Sequence, residues 1–217
     1  MPVSLKNQVV LVVGASSGIG RETAVLFARE GARVTASARR EDRLRGLQDT
    51  LAQEGFRIEI APADASKVTE IAQVVNQTRE RAGKIDIVVF ATGTNTPDRA
   101  LTRLTPAIWD ELVTVNLNGA YYITHAVLPA MRNAGSGHLI YVSSISGLVP
   151  DVSGAAYQAG KRGTDLDLCR RPPLGPFESD KSVCSSGPSP LRMTGRVCKM
   201  IKVTKVTFTI FAYTFRG

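Results

Sequence analysis

Apolar residues in this chain come in two alternating rhythms. Short, nearly unbroken runs recur at Val9–Val13, Arg33–Ala38, Arg57–Ala61, Ile85–Ala91 and His138–Val142. Each is too short to span a membrane and rich in β-branched side chains, which predicts strands; those apolar on both sides, Val9–Val13 and Ile85–Ala91, belong in the middle of a sheet. Between them lie segments with apolar residues at helical spacing. Arg21–Glu30 carries Ala24, Val25, Leu26 and Ala28, Glu41–Glu54 follows the second strand, and Lys67–Ala82 carries Val68, Ile71, Ala72, Val75 and Thr78 before Gly83. A long helix is predicted from Pro106, a first-turn proline, to Arg132. Strands alternating with helices in this way predict an α/β fold: a Rossmann-like, doubly wound parallel sheet with helices on both faces, in a single domain. Ligands of such sheets bind at the carboxyl ends of the strands.

The turn after the first strand reads Gly14-Ala15-Ser16-Ser17-Gly18-Ile19-Gly20. Strand, glycine turn and helix in that order aim unpaired backbone N–H groups and the positive end of a helix dipole at one point, where a pyrophosphate can rest. The spacing is G-x-x-x-G-x-G rather than G-x-G-x-x-G, and Ser16 and Ser17 occupy the widened turn. After the second strand come Ala38, Arg39 and Arg40. An acidic residue there would hold a ribose 2′-hydroxyl, whereas arginine accommodates a 2′-phosphate, so Ala38 followed by Arg39 favours NADP(H) over NAD(H). Asp64 follows the third strand, where an adenine would lie. Gly93, just past the fourth, lets the backbone come close to a ligand. Asn116 lies among apolar residues of the long helix and needs hydrogen-bond partners if buried.

Ser143 and Ser144 end the fifth strand at the edge where the glycine turn opens. Tyr157 and Lys161 follow in AAYQAGK, four apart and so on one face of a helix. A free phenol is a poor acid at neutral pH, and a neighbouring ammonium favours its ionised form. Tyr157 could then exchange a proton with a carbonyl oxygen that Ser144 also holds.

Together these residues resemble the short-chain dehydrogenase/reductase family over roughly residues 5 to 163. Five elements occur in order: the Gly14–Gly20 turn, Asp64, Ala91-Thr92-Gly93, Asn116 in VNLNG, and Ser144 with Tyr157 and Lys161. The resemblance implies an NADP(H)-dependent oxidoreductase that interconverts a small-molecule carbonyl and alcohol by hydride transfer. It makes Tyr157 the general acid/base, has Ser144 orient the carbonyl, has Lys161 bind the nicotinamide ribose, and has Asn116 hold a water in a proton relay. Asp64 and Ala65 would frame the adenine, with Ala91 and Gly93 also against the cofactor. Two departures stand out: Val13 replaces a frequent Thr, and Phe90-Ala91-Thr92-Gly93 replaces Asn-Asn-Ala-Gly, removing a polar side chain at the sheet edge. The family forms homo-oligomers through the long helices near Pro106 and Tyr157.

Composition changes the picture only at the C-terminal quarter. The 217 residues are 43% apolar with a net charge of +8, but residues 1–161 hold 17 basic and 15 acidic side chains, against 10 and 4 beyond. Cys169, Cys184 and Cys198 and five of eleven prolines also fall in this tail. It departs from the family pattern near residue 162, which gives an NADP(H)-binding domain at 1–162 and an atypical basic tail at 163–217, read as a frame-shifted or aberrant C-terminus. Pro172-Pro173 would end the last helix early, the family's later strands would be degraded or missing, and Lys202–Phe215 alternates enough for an edge strand. A nucleotide-binding protein without turnover is therefore the alternative function. The tail's charges are interrupted by Pro, Ser and acidic residues, so neither a nucleic acid nor a membrane partner is expected. No metal is assigned, since neither the cysteines nor His125 and His138 have ligand spacing. Without a leader or spanning segment, the expected location is cytoplasmic.

Overall fold

The computed structural model describes residues 5–167 and three strands at 201–203, 206–208 and 210–216. Five strands, β1 (Val9–Val13), β2 (Arg33–Ser37), β3 (Ile58–Ile60), β4 (Ile87–Phe90) and β5 (Ser136–Val142), alternate with helices α1 (Gly18–Arg29), α2 (Glu41–Gln53), α3 (Val68–Ala82), α4 (Pro106–Val113) and α5 (Gly119–Asn133); α6 (Ala155–Asp167) follows. The strand order is β3-β2-β1-β4-β5, all parallel. β1 to β2, β2 to β3 and β4 to β5 each cross by a helix to a parallel neighbour, because a parallel pair cannot be joined by a hairpin, and the step from β3 to β4 returns to the other side of β1.

Burial follows from the alternation along β1. Leu11 and Val13 face a core shared with Ile71, Val74 and Val75 of α3 and with Ile123, Val127 and Met131 of α5. Val10 and Val12 face the opposite core, with Ala24 and Val25 of α1 and Leu44, Leu47 and Leu51 of α2. Helices therefore cover both faces, as the two-sided apolar run requires. Two expected face residues turn outward: Leu26 and Val68 are exposed, and Val74 takes the core position on α3. Gly83 ends α3 in the left-handed conformation at φ 82°.

The long helix expected from Pro106 to Arg132 is not continuous. Thr114–Asn118 winds as a π-helix between α4 and α5. The apolar Leu117 fills the step of five between the buried Val115 and Ala120, so the pattern does not reveal the looser turn, and such turns often mark functional sites. Thr105 caps α4, its hydroxyl accepting from the N–H of Ile108.

At the far edge, β8 (Ile210–Arg216) pairs with β5, and β6 (Ile201–Val203) pairs with β7 (Val206–Phe208). Of the alternating stretch at 202–215, only the part from Ile210 joins the sheet as an edge strand, running antiparallel to the rest, while Val203, Val206 and Phe208 lie in the separate pair. The Pro172-Pro173 helix stop, the three cysteines and the composition-based reading of the tail lie outside the described residues. Among the described residues, no helix is long and apolar enough to cross a membrane.

Candidate active site

The glycine turn sits at the carboxyl end of β1, packed against the end of β4. Gly14 has φ +96°, and a Cβ there would stand 2.8 Å from the backbone of Ala91 and Thr92. A Cβ on Gly20 would run into the Gly14 carbonyl. These two glycines let α1 begin directly against the strand ends. Gly18 differs, since a Cβ there would meet nothing within 4 Å. Open space thus lies over the first turn of α1, and the Ser17 side chain makes no capping hydrogen bond to that turn. A helix start with uncapped N–H groups facing open space is built to receive an anion.

The Ser17 hydroxyl turns instead to Arg40, whose Nη2 donates to Ser17 Oγ at 2.7 Å and to Ser16 Oγ at 2.9 Å. Arg40 thereby links the start of α2 to the glycine turn, 23 residues earlier in sequence. Arg39 also lies at the end of β2, but its exposed side chain makes no hydrogen bond or ion pair among the described residues. Sequence reasoning chose Arg39; the residue that touches the turn is its neighbour.

Asp64 organises the loop after β3. Its Oδ1 accepts from the N–H and hydroxyl of Ser66, and its own N–H donates to Glu70 Oε2 at 2.7 Å. Ala65 is buried in the core beneath. Phe90 is buried there too, with its Cζ 3.1 Å from where a Cβ on Gly119 would lie. The departure at position 90 thus exchanges a polar residue for a core side chain.

Asn116, in the π-helical turn, is completely buried. Its Nδ2 donates to the carbonyls of Thr94 and Leu112, both at 2.8 Å, and its Oδ1 accepts from the N–H of Thr94 at 3.1 Å. The side chain thus pins the loop leaving β4 to the helix. Its main-chain carbonyl accepts from the Thr164 hydroxyl of α6 at 3.1 Å. Gly160 permits this approach, since a Cβ there would lie 3.0 Å from Asn116 Cβ.

On α6, Lys161 is 5% exposed and donates from Nζ to the carbonyl of Val142 at the end of β5, at 3.1 Å. The same Nζ lies 5.8 Å from the centroid of the Tyr157 ring, within cation–π range. Gly93 sits against both polar groups: a Cβ there would be 3.0 Å from Asn116 Oδ1 and 3.0 Å from Lys161 Nζ. Gly93 therefore makes room for the site's own side chains. Asn116, Lys161 and Tyr157 are brought together as expected from sequence.

Ser144 begins a single 3₁₀ turn, Ile145–Gly147, whose Ser146 N–H donates to Ser144 Oγ at 3.2 Å. Ser144 Oγ in turn donates to Ser146 Oγ at 3.1 Å, and Ser146 Oγ donates to Asp151 Oδ2 at 2.6 Å. Asp151 Oδ1 accepts from the N–H of Ser153, and its carbonyl accepts from Gln158, the residue after Tyr157. These bonds, that of Ser146 foremost, hold the Asp151 carboxyl below its ordinary range, with the charge of Arg99 adding to the effect. Sequence reasoning passed over Asp151, although Asp-x-Ser in a loop is an Asx-turn signature. Asn95 closes the region by donating to the Ser153 carbonyl at 3.0 Å.

Set against known proteins, residues 8–166 match the family model described as short chain dehydrogenase. An uncharacterized oxidoreductase of Staphylococcus aureus is 34% identical over 157 residues, 72% of this chain and 67% of that protein. One of Listeria monocytogenes is 34% identical over 159 residues, 73% of this chain and 64% of that protein. The chain thus spans about two thirds of the length of these relatives. Among solved structures, a metagenomic short-chain oxidoreductase in complex with NADP superposes with TM-score 0.71 at 36% identity, covering 75% of this chain and 74% of that one. A variant actinorhodin polyketide ketoreductase with NADPH gives TM-score 0.69 at 34% identity, covering 72% and 60%.

Proposed function

The chain belongs to the short-chain dehydrogenase family, and from that premise we propose that it is a cytoplasmic NADP(H)-dependent oxidoreductase interconverting a small-molecule carbonyl and alcohol, its dinucleotide held by residues 1–162. The observation that carries this reading is the uncapped first turn of α1 under open space, with the Arg40 guanidinium on Ser16 and Ser17 beside it. The turn would take the pyrophosphate on its N–H groups, and Arg40, with Arg39 next to it, would take a 2′-phosphate. Charge-assisted bonds from arginine to phosphate are about twice as strong as neutral ones. Ala38 puts no carboxylate in their way. Asp64 and Ala65 would frame the adenine, and Ala91 and Gly93 the ribose side.

When bound, the nicotinamide ring supplies or accepts the hydride. Tyr157 then gives a proton to the carbonyl oxygen during reduction and takes it back during oxidation. Lys161 places a positive charge beside the phenol and a donor beside the ribose position. Ser144 holds the carbonyl oxygen through its hydroxyl, for which it must leave Ser146. Asn116 works by building the site, locking Thr94 and the π-helical turn in place, and in the family's relay it would hold a water.

The test is NADPH and NADH titration by fluorescence, followed by carbonyl reduction at 340 nm across a panel of ketones and aldehydes. Tighter binding of NADPH, with turnover lowered about 10²-fold or more by Tyr157→Phe, is the expected result. NADPH binding with no turnover on any carbonyl would replace this reading with a nucleotide-binding protein. Preference for NADH would overturn the assignment of Arg39 and Arg40.

A further inference from the structure

A cavity of about 370 Å³ opens at the amino ends of β1, β2 and β3, beside the last turn of α3. This is the opposite pole of the sheet from the glycine turn, about 13 Å away along β1 at the rise of a parallel strand. Strand register fixes what faces the cavity. Val34 pairs with Ile58 and Thr35 with Glu59, so Arg33 and Arg57, each one position earlier, stand side by side on neighbouring strands. By the two-residue period they share the face of Thr35 and Glu59, over which α3 lies. From α3, Arg81 closes the group. Its carbonyl accepts from Arg33 Nη2 at 3.2 Å, and its Nη1 pairs with Glu59 Oε2 at 3.0 Å.

Three guanidiniums therefore line a cavity whose lining includes one carboxylate, Glu59, already paired with Arg81. Arg57 makes no hydrogen bond or ion pair among the described residues. Like charges directly opposite on neighbouring strands repel, and no bond made by Arg57 among the described residues offsets this. On the floor, Thr35 is 6% exposed, and its hydroxyl has no hydrogen-bond partner among the described residues. Val9 on the same face, and Ala82 from α3, give the cavity an apolar surface.

From this arrangement we propose a second ligand site, separate from the candidate active site, for a small organic dianion of the phosphate monoester type. Arg33 and Arg57 clamp the dianion with their planar donors, the Thr35 hydroxyl bonds the inner end of the ligand, and its apolar body covers Val9 and Ala82. The volume is within the range of small-molecule pockets, about 300–1,000 Å³. The site does not depend on the chemistry proposed at the other pole.

Titration calorimetry of the full chain with phenyl phosphate tests it. Saturable binding is expected, weakened about tenfold or more by Arg57→Glu, to a smaller degree by Arg57→Lys, and unchanged by Arg40→Ala at the opposite pole. Phenol, lacking the charge, is expected not to bind. Circular dichroism on each variant confirms that the fold is intact, as the exposed side chain of Arg57 leads one to expect. Absence of saturable binding, indifference to Arg57→Glu, or loss of binding in Arg40→Ala would each overturn the proposal.

Discussion

Ser146 gives its hydroxyl hydrogen to Asp151 across 2.6 Å, and that bond decides which way the neighbouring Ser144 directs its own. An ionised carboxylate only accepts, so the single hydrogen of Ser146 is committed to it and Ser146 can only accept from Ser144. Ser144 is thus held as a donor to Ser146 until a carbonyl oxygen competes. Ser146→Ala removes the competing acceptor but keeps the backbone N–H that caps the turn. Initial-rate kinetics should show kcat/KM for carbonyl reduction rising about two- to tenfold, the worth of one neutral hydrogen bond. A fall in kcat/KM would mean that Ser146 orients Ser144 productively.

The carboxyl of Asp151 also limits how pH acts on the site. Its folded pKa lies below the ordinary value of 3.8, so the bonds it accepts are fully made above the unfolded value and are lost only as pH falls through the folded one. Between about pH 5 and 9 the Ser144–Ser146 direction stays fixed. The pH profiles of kcat/KM for the wild type and Asp151→Asn should therefore share their shape in that window. A difference in level is expected, because the asparagine amide can donate to Ser146 and let it donate to Ser144.

Arg40 and Arg39 separate by their contacts. Arg40→Ala should weaken NADPH about tenfold while leaving NADH within about twofold, since only the former carries the 2′-phosphate. Arg39→Ala, which removes no contact within the protein, should have the smaller effect. Fluorescence titration of both nucleotides against both variants measures this directly.

Asn116→Ala deletes three hydrogen bonds and leaves the Thr94 amide and carbonyl without their side-chain partner. The expected loss of stability is about 2–4 kcal/mol, since unsatisfied buried groups cost about 1–3 kcal/mol each and some are rescued by water. Urea unfolding gives the value. Thr164→Val, which removes the donor to the Asn116 carbonyl, should cost about half as much.

Gly14→Ala and Gly93→Ala should fail in different ways. At Gly14 the added methyl meets backbone at 2.8 Å in a left-handed conformation, so stability falls. At Gly93 it meets the ends of Asn116 and Lys161 side chains, and the Lys161 ammonium can move aside. Turnover there should drop far more than the midpoint of thermal unfolding.

Much of this was legible in the chain because burial on both faces writes itself as an apolar run. Val9–Val13 was bounded to the residue, and the strands and helices up to β5 follow their periodicities closely. The π-helical turn was not legible, since the change lies in backbone bonding and the apolar Leu117 masks the step of five from Val115 to Ala120. Nor could adjacent arginines be told apart: Arg39 and Arg40 are equally basic, and only the start of α2 aims one at Ser16 and Ser17. The alternation of 202–215 fitted an edge strand only from Ile210 and said nothing of its direction, because a two-residue period is the same read either way. Asp151 was missed because a lone carboxylate among loop residues carries no period at all.

The π-helical turn at Thr114–Asn118 also constrains how this chain can vary in length. Removing one residue there would restore ordinary winding and, because the looser turn spreads one extra residue over the same rotation, would leave the helix behind it nearly in phase. Ile123, Val127 and Met131 would keep to the interior, and the change would fall on the turn itself, drawing the Asn116 amide away from Thr94. The surplus residue therefore serves the loop and not the core: a deletion that tidied the coil would spare the helix behind it and undo the grip on the chain leaving β4.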